Sequence, residues 1–215
     1  APGTGEQDGL RQRHSGAAIA RRLAADGANI AISYTASADK ADAMVRDLEG
    51  AGIQAAAFRA DQADPAQVTK LVQDVAAKFG RLDILVNNAG VFAMALAGDP
   101  TADLAALDRQ LAVNIGGVVA AVREAAKIIG DNGRIITIGS NGAERIPFAG
   151  SAEYAGSKAA LAAFGRGWSR DLGPKGITVN TVQPGPIATE MNPDSGEFAD
   201  MLKGMSALQR YGKPE

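Results

Sequence analysis

From residue 16 onward, short β-branched and apolar runs alternate with stretches of helical periodicity, and this alternation constrains the fold more than any other feature. The strand-like runs cover residues 28–34, 53–60, 82–87, 134–139 and 177–183. The helical stretches cover residues 16–26, 38–50, 65–79, 101–129 and 152–172. Strands separated by helices pair in parallel through crossover connections. The pattern therefore predicts an α/β fold, a doubly wound parallel sheet with helices on both faces.

Local signals mark several of these elements. Gly27 is placed to end the first helix, and Asp64 precedes Pro65 in the pattern of a helix start. Residues 82–87, with the sequence LDILVN, are almost continuously apolar. Such a run is typical of a strand that is covered on both faces.

Composition bounds the function. The chain has 215 residues and a net charge of −2, which suits a single domain over residues 1–215 and disfavours binding to nucleic acid polymers or anionic membranes. It has no cysteine and one histidine, so we expect no metal site. No apolar run approaches the roughly 20 residues of a membrane span, and the first residues are polar. We therefore expect a cytoplasmic protein.

Tyr154 and Lys158 are four residues apart on a predicted helix, so both side chains project from one face. A free tyrosine, with a pKa of about 10, is a poor acid or base at neutral pH. An ammonium group about 5 Å away would stabilise the phenolate by roughly 3 kcal/mol, or about two pKa units. The spacing predicts a tyrosine whose pKa is lowered for acid–base chemistry on a carbonyl or alcohol.

Further polar residues follow predicted strands. Ser140 comes directly after residues 134–139, and Asn88, Ala89 and Gly90 follow residues 82–87. The carboxyl ends of parallel strands face the ligand crevice, which would bring these residues near Tyr154. Asn114 lies inside a predicted helix, where asparagine is disfavoured, so a polar role is indicated. Taken singly, each of these residues is equally compatible with a structural role: Ser140 with an ordinary strand-end hydroxyl, the Asn87-Asn88 pair with a turn, and Asn114 with a helix kink.

The ordered set of Asn87-Asn88-Ala89-Gly90, Asn114, Ser140, Tyr154-x-x-x-Lys158 and Pro184-Gly185 resembles the short-chain dehydrogenase/reductase family from about residue 16 to 215. The resemblance implies a Rossmann-like fold and hydride transfer between NAD(P)H and a carbonyl carbon. It also implies that Tyr154 is the general acid/base, that Lys158 lowers its pKa and holds the nicotinamide ribose, that Ser140 orients the carbonyl, and that Asn114 holds a water. Besides Tyr154 and Lys158, the implied cofactor contacts are Gly16, Thr35, Asp61, Asn88, Ala89, Gly90, Ile187 and Thr189.

The segment Ser33-Tyr34-Thr35-Ala36-Ser37 lacks the strand-end acid that would hold a ribose 2′-hydroxyl. This favours NADP over NAD. Arg13 is a candidate for the 2′-phosphate, and a solvated loop charge is an equally compatible interpretation of that residue.

The chain departs from the family at both ends. Leu10 and His14 stand where the glycine-rich loop needs glycines, and residues 1–8 do not resemble a buried strand. We therefore expect residues 1–15 to be irregular. The chain also ends before the last helix and strand of the family, so the expected fold is incomplete at both termini.

Residues 185–205 are predicted to form a substrate lid. With four residues elsewhere, its apolar side chains could line an apolar pocket or form a small satellite core; these residues are Phe92, Met94, Ile146, Phe148, Met191, Phe198, Met201, Leu202 and Met205. The pocket interpretation favours a small or medium apolar ketone or a 3-oxoacyl group as substrate.

Three functional hypotheses follow. The first is an NAD(P)-dependent oxidoreductase that interconverts a ketone and an alcohol, and the resemblance implies a homo-oligomer, a dimer or tetramer. The second is a nucleotide-binding regulator, because residues 140–161 and 182–193 resemble a subgroup that includes a cyclic-di-GMP-binding protein. The third is a truncated, catalytically silent member of the family.

Overall fold

The computed structural model describes residues 15–146 and 148–214, and these residues form two compact units. The first unit comprises the described residues up to Ile32, together with Asp39–Ala57 and residues 184–214. The second comprises Ser33–Ala38 and Phe58–Gln183. No helix in the described part of the chain is both long enough and apolar enough to span a bilayer. The expectations for residues 1–14, including Leu10, Arg13 and His14, lie outside the described residues.

The elements alternate as the sequence predicts. The helices are α1 (Ser15–Ala25), α2 (Ala38–Glu49), α3 (Pro65–Phe79), α4 (Leu104–Leu111), α5 (Val118–Ile128), α6 (Ala152–Leu172) and α7 (Glu197–Met205). The strands are β1 (Ile30–Tyr34), β2 (Ala55–Arg59), β3 (Leu82–Asn87), β4 (Ile129–Ile138) and β5 (Thr178–Val182). A π-helical segment (Ala112–Gly117) and two 3-10 turns (Asn141–Ala143 and Gly173–Lys175) complete the set.

The predicted helix ends are confirmed. The Asp64 carboxylate accepts hydrogen bonds from the backbone N–H groups of Ala66 and Gln67, which satisfies two free donors at the start of α3. Gly27 follows α1 with a φ of 88°, a left-handed conformation that glycine adopts without strain.

Strands β3, β4 and β5 form a parallel sheet with β4 in the centre. Asn87 is in register with Thr137, and Ile138 is in register with Val182, so the three strands end at one edge. Strands β1 and β2 form a second pair. The Ile30 N–H donates to the carbonyl of Gln54 at the start of this pair, and the Ala60 N–H donates to the carbonyl of Tyr34 at its end, so β1 and β2 run in the same direction.

Each unit has its own apolar core. In the second unit, α6 packs against β5, and α3 and α5 pack against each other and against β3. Its largest core cluster consists of Val118, Val122, Ile129, Ile135, Leu161, Leu172 and Ile177. In the first unit, α1, α2 and the strand residues near them bury Ala20, Ala24, Ile30, Leu48 and Ala55.

Two expectations about individual elements are wrong. Strand β3 is not covered on both faces: most of its residues are half-buried and Asp83 is exposed. Within the described residues β3 pairs only with β4. The stretch of residues 101–129 is not one continuous helix, because α4 and α5 are joined by the π-helical segment.

Replacing Gly117 with alanine is expected to destabilise the second unit. A Cβ atom at this position would lie 2.2 Å from the backbone carbonyl oxygen of Gln62, which no side-chain rotation relieves. Because overpacking against backbone typically costs about 1–3 kcal/mol, we expect the free energy of unfolding in urea to fall by about that amount.

Gly116 provides the matched control in the same segment. A Cβ atom at Gly116 would have no neighbour within 4 Å, so Gly116→Ala is expected to leave stability unchanged or slightly raised. Equal effects of the two substitutions would contradict the steric explanation.

Candidate active site

The candidate site is at the edge where β3, β4 and β5 end. Residues 88–90 follow β3, Ser140 follows β4, and α6 begins at Ala152. The Ala95 N–H donates to the carbonyl of Gly150 at 3.1 Å, which ties the loop after β3 to the loop before α6. The structure thus brings four predicted residues into one unit: Asn114, Ser140, Tyr154 and Lys158.

The side chains of Tyr154 and Ser140 are hydrogen-bonded to each other, and the Ser140 hydroxyl also accepts a bond from the Gly142 N–H at 3.0 Å. The ring of Phe92 meets the ring of Tyr154 edge-on, with the centroids 4.8 Å apart and the planes at 88°. The phenol is therefore held between a hydroxyl and an aromatic wall.

Burial raises the pKa of Tyr154 above its ordinary value, and the hydrogen bond with Ser140 opposes this shift. The prediction that the pKa of Tyr154 is lowered overall is therefore wrong for the structure. The Lys158 Nζ lies 5.9 Å from the centroid of the tyrosine ring, but desolvation of the phenolate dominates.

Lys158 is 5% exposed, and its Nζ donates to the carbonyl oxygen of Ile138 at 2.9 Å. Burial lowers the pKa of Lys158 from 10.5 to about 8. The bond to the last residue of β4 fixes the ammonium group next to the end of that strand.

Asn114 is fully buried in the π-helical segment. Its Oδ1 accepts a bond from the Val91 N–H at 2.9 Å, and its Nδ2 donates to the Val91 carbonyl at 3.0 Å and to the Ser157 hydroxyl at 3.1 Å. Ser157 donates in turn to the carbonyl of Tyr154 at 2.7 Å. Asn114 therefore connects the loop after β3 to the first turns of α6, and π-helical turns are frequent at functional sites.

Gly90 lies against the two buried polar groups of the site. A Cβ atom at this position would be 3.2 Å from the Lys158 Nζ and 3.4 Å from the Asn114 Oδ1. Any larger residue would fill the space in front of the lysine. Asn88 beside it is half-buried and Ala89 is exposed.

Gln110 and Ser157 are buried residues of the site that sequence reasoning missed. The Gln110 Oε1 accepts a bond from the Ala93 N–H at 2.7 Å. Asn114 binds the backbone of Val91, so the residues on both sides of Phe92 are fixed by buried amide side chains. The Phe92 ring in turn contacts the ring of Tyr154. Gln110 precedes Asn114 by four residues, and this helical spacing was the available signal.

Asp61, an expected cofactor contact, is engaged by Arg109. The two guanidinium nitrogens lie 3.2 Å and 3.0 Å from the two carboxylate oxygens. The bond with Arg109 is the main cause that lowers the pKa of Asp61 below its usual value, and a bond from the Ala63 N–H is the second. Arg109 was not predicted from the sequence, because its partner is 48 residues away.

The other expected cofactor contacts are distributed over both units. Thr35 follows β1 in the second unit, whereas Gly16, Ile187 and Thr189 belong to the first. Ile187 forms a parallel bridge with Gly212, and the Thr189 hydroxyl accepts a bond from the Asn192 N–H at 3.2 Å. Among the described residues, no cluster of three His, Cys, Asp or Glu side chains could hold a metal ion.

The chain is similar to known proteins over most of its length. A family model described as enoyl-(acyl carrier protein) reductase matches residues 10–215. The chain belongs to the short-chain dehydrogenase/reductase family. This family membership confirms the predicted Rossmann-like α/β class and makes the chain a member of an oxidoreductase family.

Relatives in the short-chain dehydrogenase/reductase family have differing descriptions. The cyclic-di-GMP-binding biofilm dispersal mediator protein of Escherichia coli K12 is 44% identical over 203 residues, which cover 94% of this chain and 81% of the relative. A short-chain dehydrogenase/reductase from Serratia marcescens is 53% identical with a TM-score of 0.90, over 95% of this chain and 83% of that one. A short-chain dehydrogenase from Burkholderia cenocepacia, solved in complex with NADP, is 50% identical with a TM-score of 0.90, over 94% and 82%.

Proposed function

We propose that this chain reduces an apolar ketone to an alcohol with NADPH, with Tyr154 as the general acid. The observation that carries the proposal is the pairing of a half-buried, Ser140-bonded phenol with a buried lysine at the carboxyl edge of the sheet. The NADP complex of the Burkholderia relative supports the choice of cofactor.

The residues of the second unit suit a nicotinamide cofactor. The lack of a side chain at Gly90 keeps space next to Lys158 and Asn114, as close approach of a ligand to the backbone requires. Lys158 and residues 88–90 would hold the ribose and nicotinamide portion, and Thr35 would contact the adenosine portion. When bound, the cofactor supplies the hydride that adds to the carbonyl carbon.

Tyr154 would donate its proton to the carbonyl oxygen while the Ser140 hydroxyl holds that oxygen in place. The raised pKa of Tyr154 keeps the phenol protonated at neutral pH, as an acid must be before the reaction. Lys158, mostly protonated at neutral pH, would stabilise the phenolate that forms. This charge state favours reduction over alcohol oxidation, which needs the phenolate at the start.

The expected substrate is apolar. Phe92, Met94 and Ile146 belong to the same unit as Tyr154 and are 40%, 48% and 62% exposed. Large apolar side chains at this exposure provide a surface for an aryl, alkyl or 3-oxoacyl ketone. The lid expected from the sequence, residues 185–205, belongs to the first unit and stays a prediction.

The test is NADPH oxidation by the full chain with a panel of aryl ketones, alkyl ketones, 3-oxoacyl thioesters and polar sugars. Turnover of apolar ketones supports the proposal. No turnover, together with no NADPH binding at millimolar concentration, would instead identify a catalytically silent member of the family.

The pH dependence of that reaction is predictable. Reduction needs a protonated Tyr154 and a positively charged Lys158, so kcat should be steady through neutral pH and fall above about pH 8, where Lys158 loses its proton. Steady-state rates across this range measure the effect. A rate of reduction that rises continuously above pH 8 would contradict the assigned proton donor.

A second candidate function is the binding of cyclic-di-GMP by a regulator that retains the same site residues. The observation that favours it is the 44% identity to the Escherichia coli protein of that description. Calorimetry with cyclic-di-GMP separates the two functions, because no heat of binding at high micromolar ligand would remove this candidate.

A further inference from the structure

Arg59 connects the ends of β1 and β2, the two strands that do not lead into the candidate catalytic residues. Strands β1 and β2 end side by side, where the Ala60 N–H donates to the carbonyl of Tyr34 at 2.9 Å. Arg59 is the last residue of β2, and its Nε donates to the carbonyl of Thr35, directly after β1, at 3.2 Å. All four residues belong to the second unit, so this geometry is internal to one compact body.

The bond to Thr35 leaves the end of the Arg59 guanidinium group available. The group has five N–H donors, of which the Nε–H is used here. The side chain is exposed, and in the part of the chain that the structure describes it forms an ion pair with no carboxylate. The acid nearest in sequence, Asp61, is held by Arg109. Arg59 is thus anchored by one nitrogen and can present the other two to a ligand.

The position at the end of β1 decides which nucleotide fits. Ligands of open α/β sheets bind beyond the carboxyl ends of the strands, where an acid accepts a ribose 2′-hydroxyl and an arginine accommodates a 2′-phosphate. Residues 33–37 contain no acid, and the Thr35 hydroxyl donates to the carbonyl of Ala60 at 3.4 Å, which draws the ends of the two strands together. A guanidinium group binds phosphate through two parallel hydrogen bonds, which no lysine reproduces.

We infer that Arg59, anchored on the carbonyl of Thr35, binds the 2′-phosphate of NADP and selects it over NAD. This inference rests on the proposed use of a nicotinamide cofactor and names a residue that the sequence did not single out. Arg13, the residue expected in this role, lies outside the described residues.

The experiment compares two ligands that differ only by the phosphate in question, adenosine 2′,5′-bisphosphate and adenosine 5′-monophosphate. Calorimetry with the full chain measures both dissociation constants. The wild-type chain is expected to bind the bisphosphate about tenfold or more tightly, since a charge-assisted bond to phosphate contributes at least that factor.

Three variants separate the charge from the anchor. Arg59→Ala removes both, whereas Arg59→Gln keeps an amide donor for the Thr35 carbonyl and loses the positive charge. The Arg59→Ala and Arg59→Gln chains are each expected to bind the bisphosphate and the monophosphate with equal affinity. Arg123→Ala, at an exposed arginine of α5, removes the same charge elsewhere and is expected to keep the preference.

The inference is overturned if the wild-type chain shows no preference, if it binds neither ligand, or if Arg59→Gln retains the preference. Its failure is distinct from failure of the proposed function. A chain that reduces ketones equally well with NADH and NADPH contradicts only the role of Arg59. A chain that prefers the bisphosphate but reduces no ketone contradicts only the proposed reaction.

Discussion

Replacing Tyr154 with phenylalanine is expected to lower kcat for NADPH-dependent ketone reduction by about a thousandfold, because a positioned general acid contributes roughly 10²–10⁴ in rate. The phenylalanine ring keeps the edge-on contact with Phe92 and the half-buried position on α6, so only the hydroxyl bonded to Ser140 is lost. The dissociation constant for NADPH should change little. Steady-state kinetics and calorimetry on the same preparations measure the two effects separately.

Tyr34→Phe is the control for this substitution, because it removes a hydroxyl from a tyrosine of β1 that is not among the expected site residues. Its kcat should equal that of the wild-type chain. If Tyr154→Phe retained a rate within a fewfold of wild type, another group would be the proton donor and the proposed mechanism would be wrong.

Replacing Lys158 with methionine is expected to change the pH dependence of stability. Lys158 is buried, and its pKa falls from 10.5 in the unfolded chain to about 8 in the folded one. Below pH 8 both states carry the proton, and the folded state has the full cost of a buried charge. Above pH 10.5 the lysine is neutral in both states, and the folded state no longer has the cost of a buried charge. Between these values the unfolded chain binds more protons, so the wild-type chain becomes more stable as pH rises.

The methionine variant lacks this titration. The difference in free energy of unfolding, variant minus wild type, should therefore fall by about 3 kcal/mol between about pH 7 and pH 10.5, in urea titrations of both chains. The loss of the bond to the Ile138 carbonyl adds a constant that does not depend on pH. Because no ammonium group remains to stabilise the phenolate, ketone reduction should fall steeply at every pH.

Lys175→Met is the matched control at an exposed lysine of the second 3-10 turn. It removes the same positive charge without removing a buried group, so ketone reduction should be unchanged. A stability difference for Lys158→Met that stays flat between about pH 7 and pH 10.5 would show that its ammonium group is solvated and that burial does not control its pKa.

The secondary structure was largely predictable because its signals are local. The spacing of apolar residues located α6 at residues 152–172, and the pair Asp64–Pro65 located the start of α3. The π-helical segment was not predictable in the same way. Its sequence continues the helical pattern, and its backbone geometry accompanies long-range bonds, such as those from Asn114 to Val91, 23 residues away.

The candidate site was predictable in its membership but not in its electrostatics. Ser140, Tyr154 and Lys158 lie in one unit as the strand-end argument requires. The pKa of Tyr154 moved opposite to the prediction, because the sequence places a lysine one helical turn away but does not show how much water reaches the phenol. Arg109 was missed for a related reason, since the carboxylate it binds is distant in sequence.

The amino-acid sequence by itself determined the order of strands and helices, the edge at which the polar residues gather, and the family to which the chain belongs. These features depend on periodicity and spacing between near neighbours, which a linear chain records directly. Only the tertiary structure decided the charge of each group at that edge. Burial and ion pairing arise between segments that are far apart in the chain. They set the pKa values of Tyr154 and Lys158 and pair Asp61 with Arg109. They also anchor the Arg59 Nε on Thr35, which leaves the other two guanidinium nitrogens available to a phosphate.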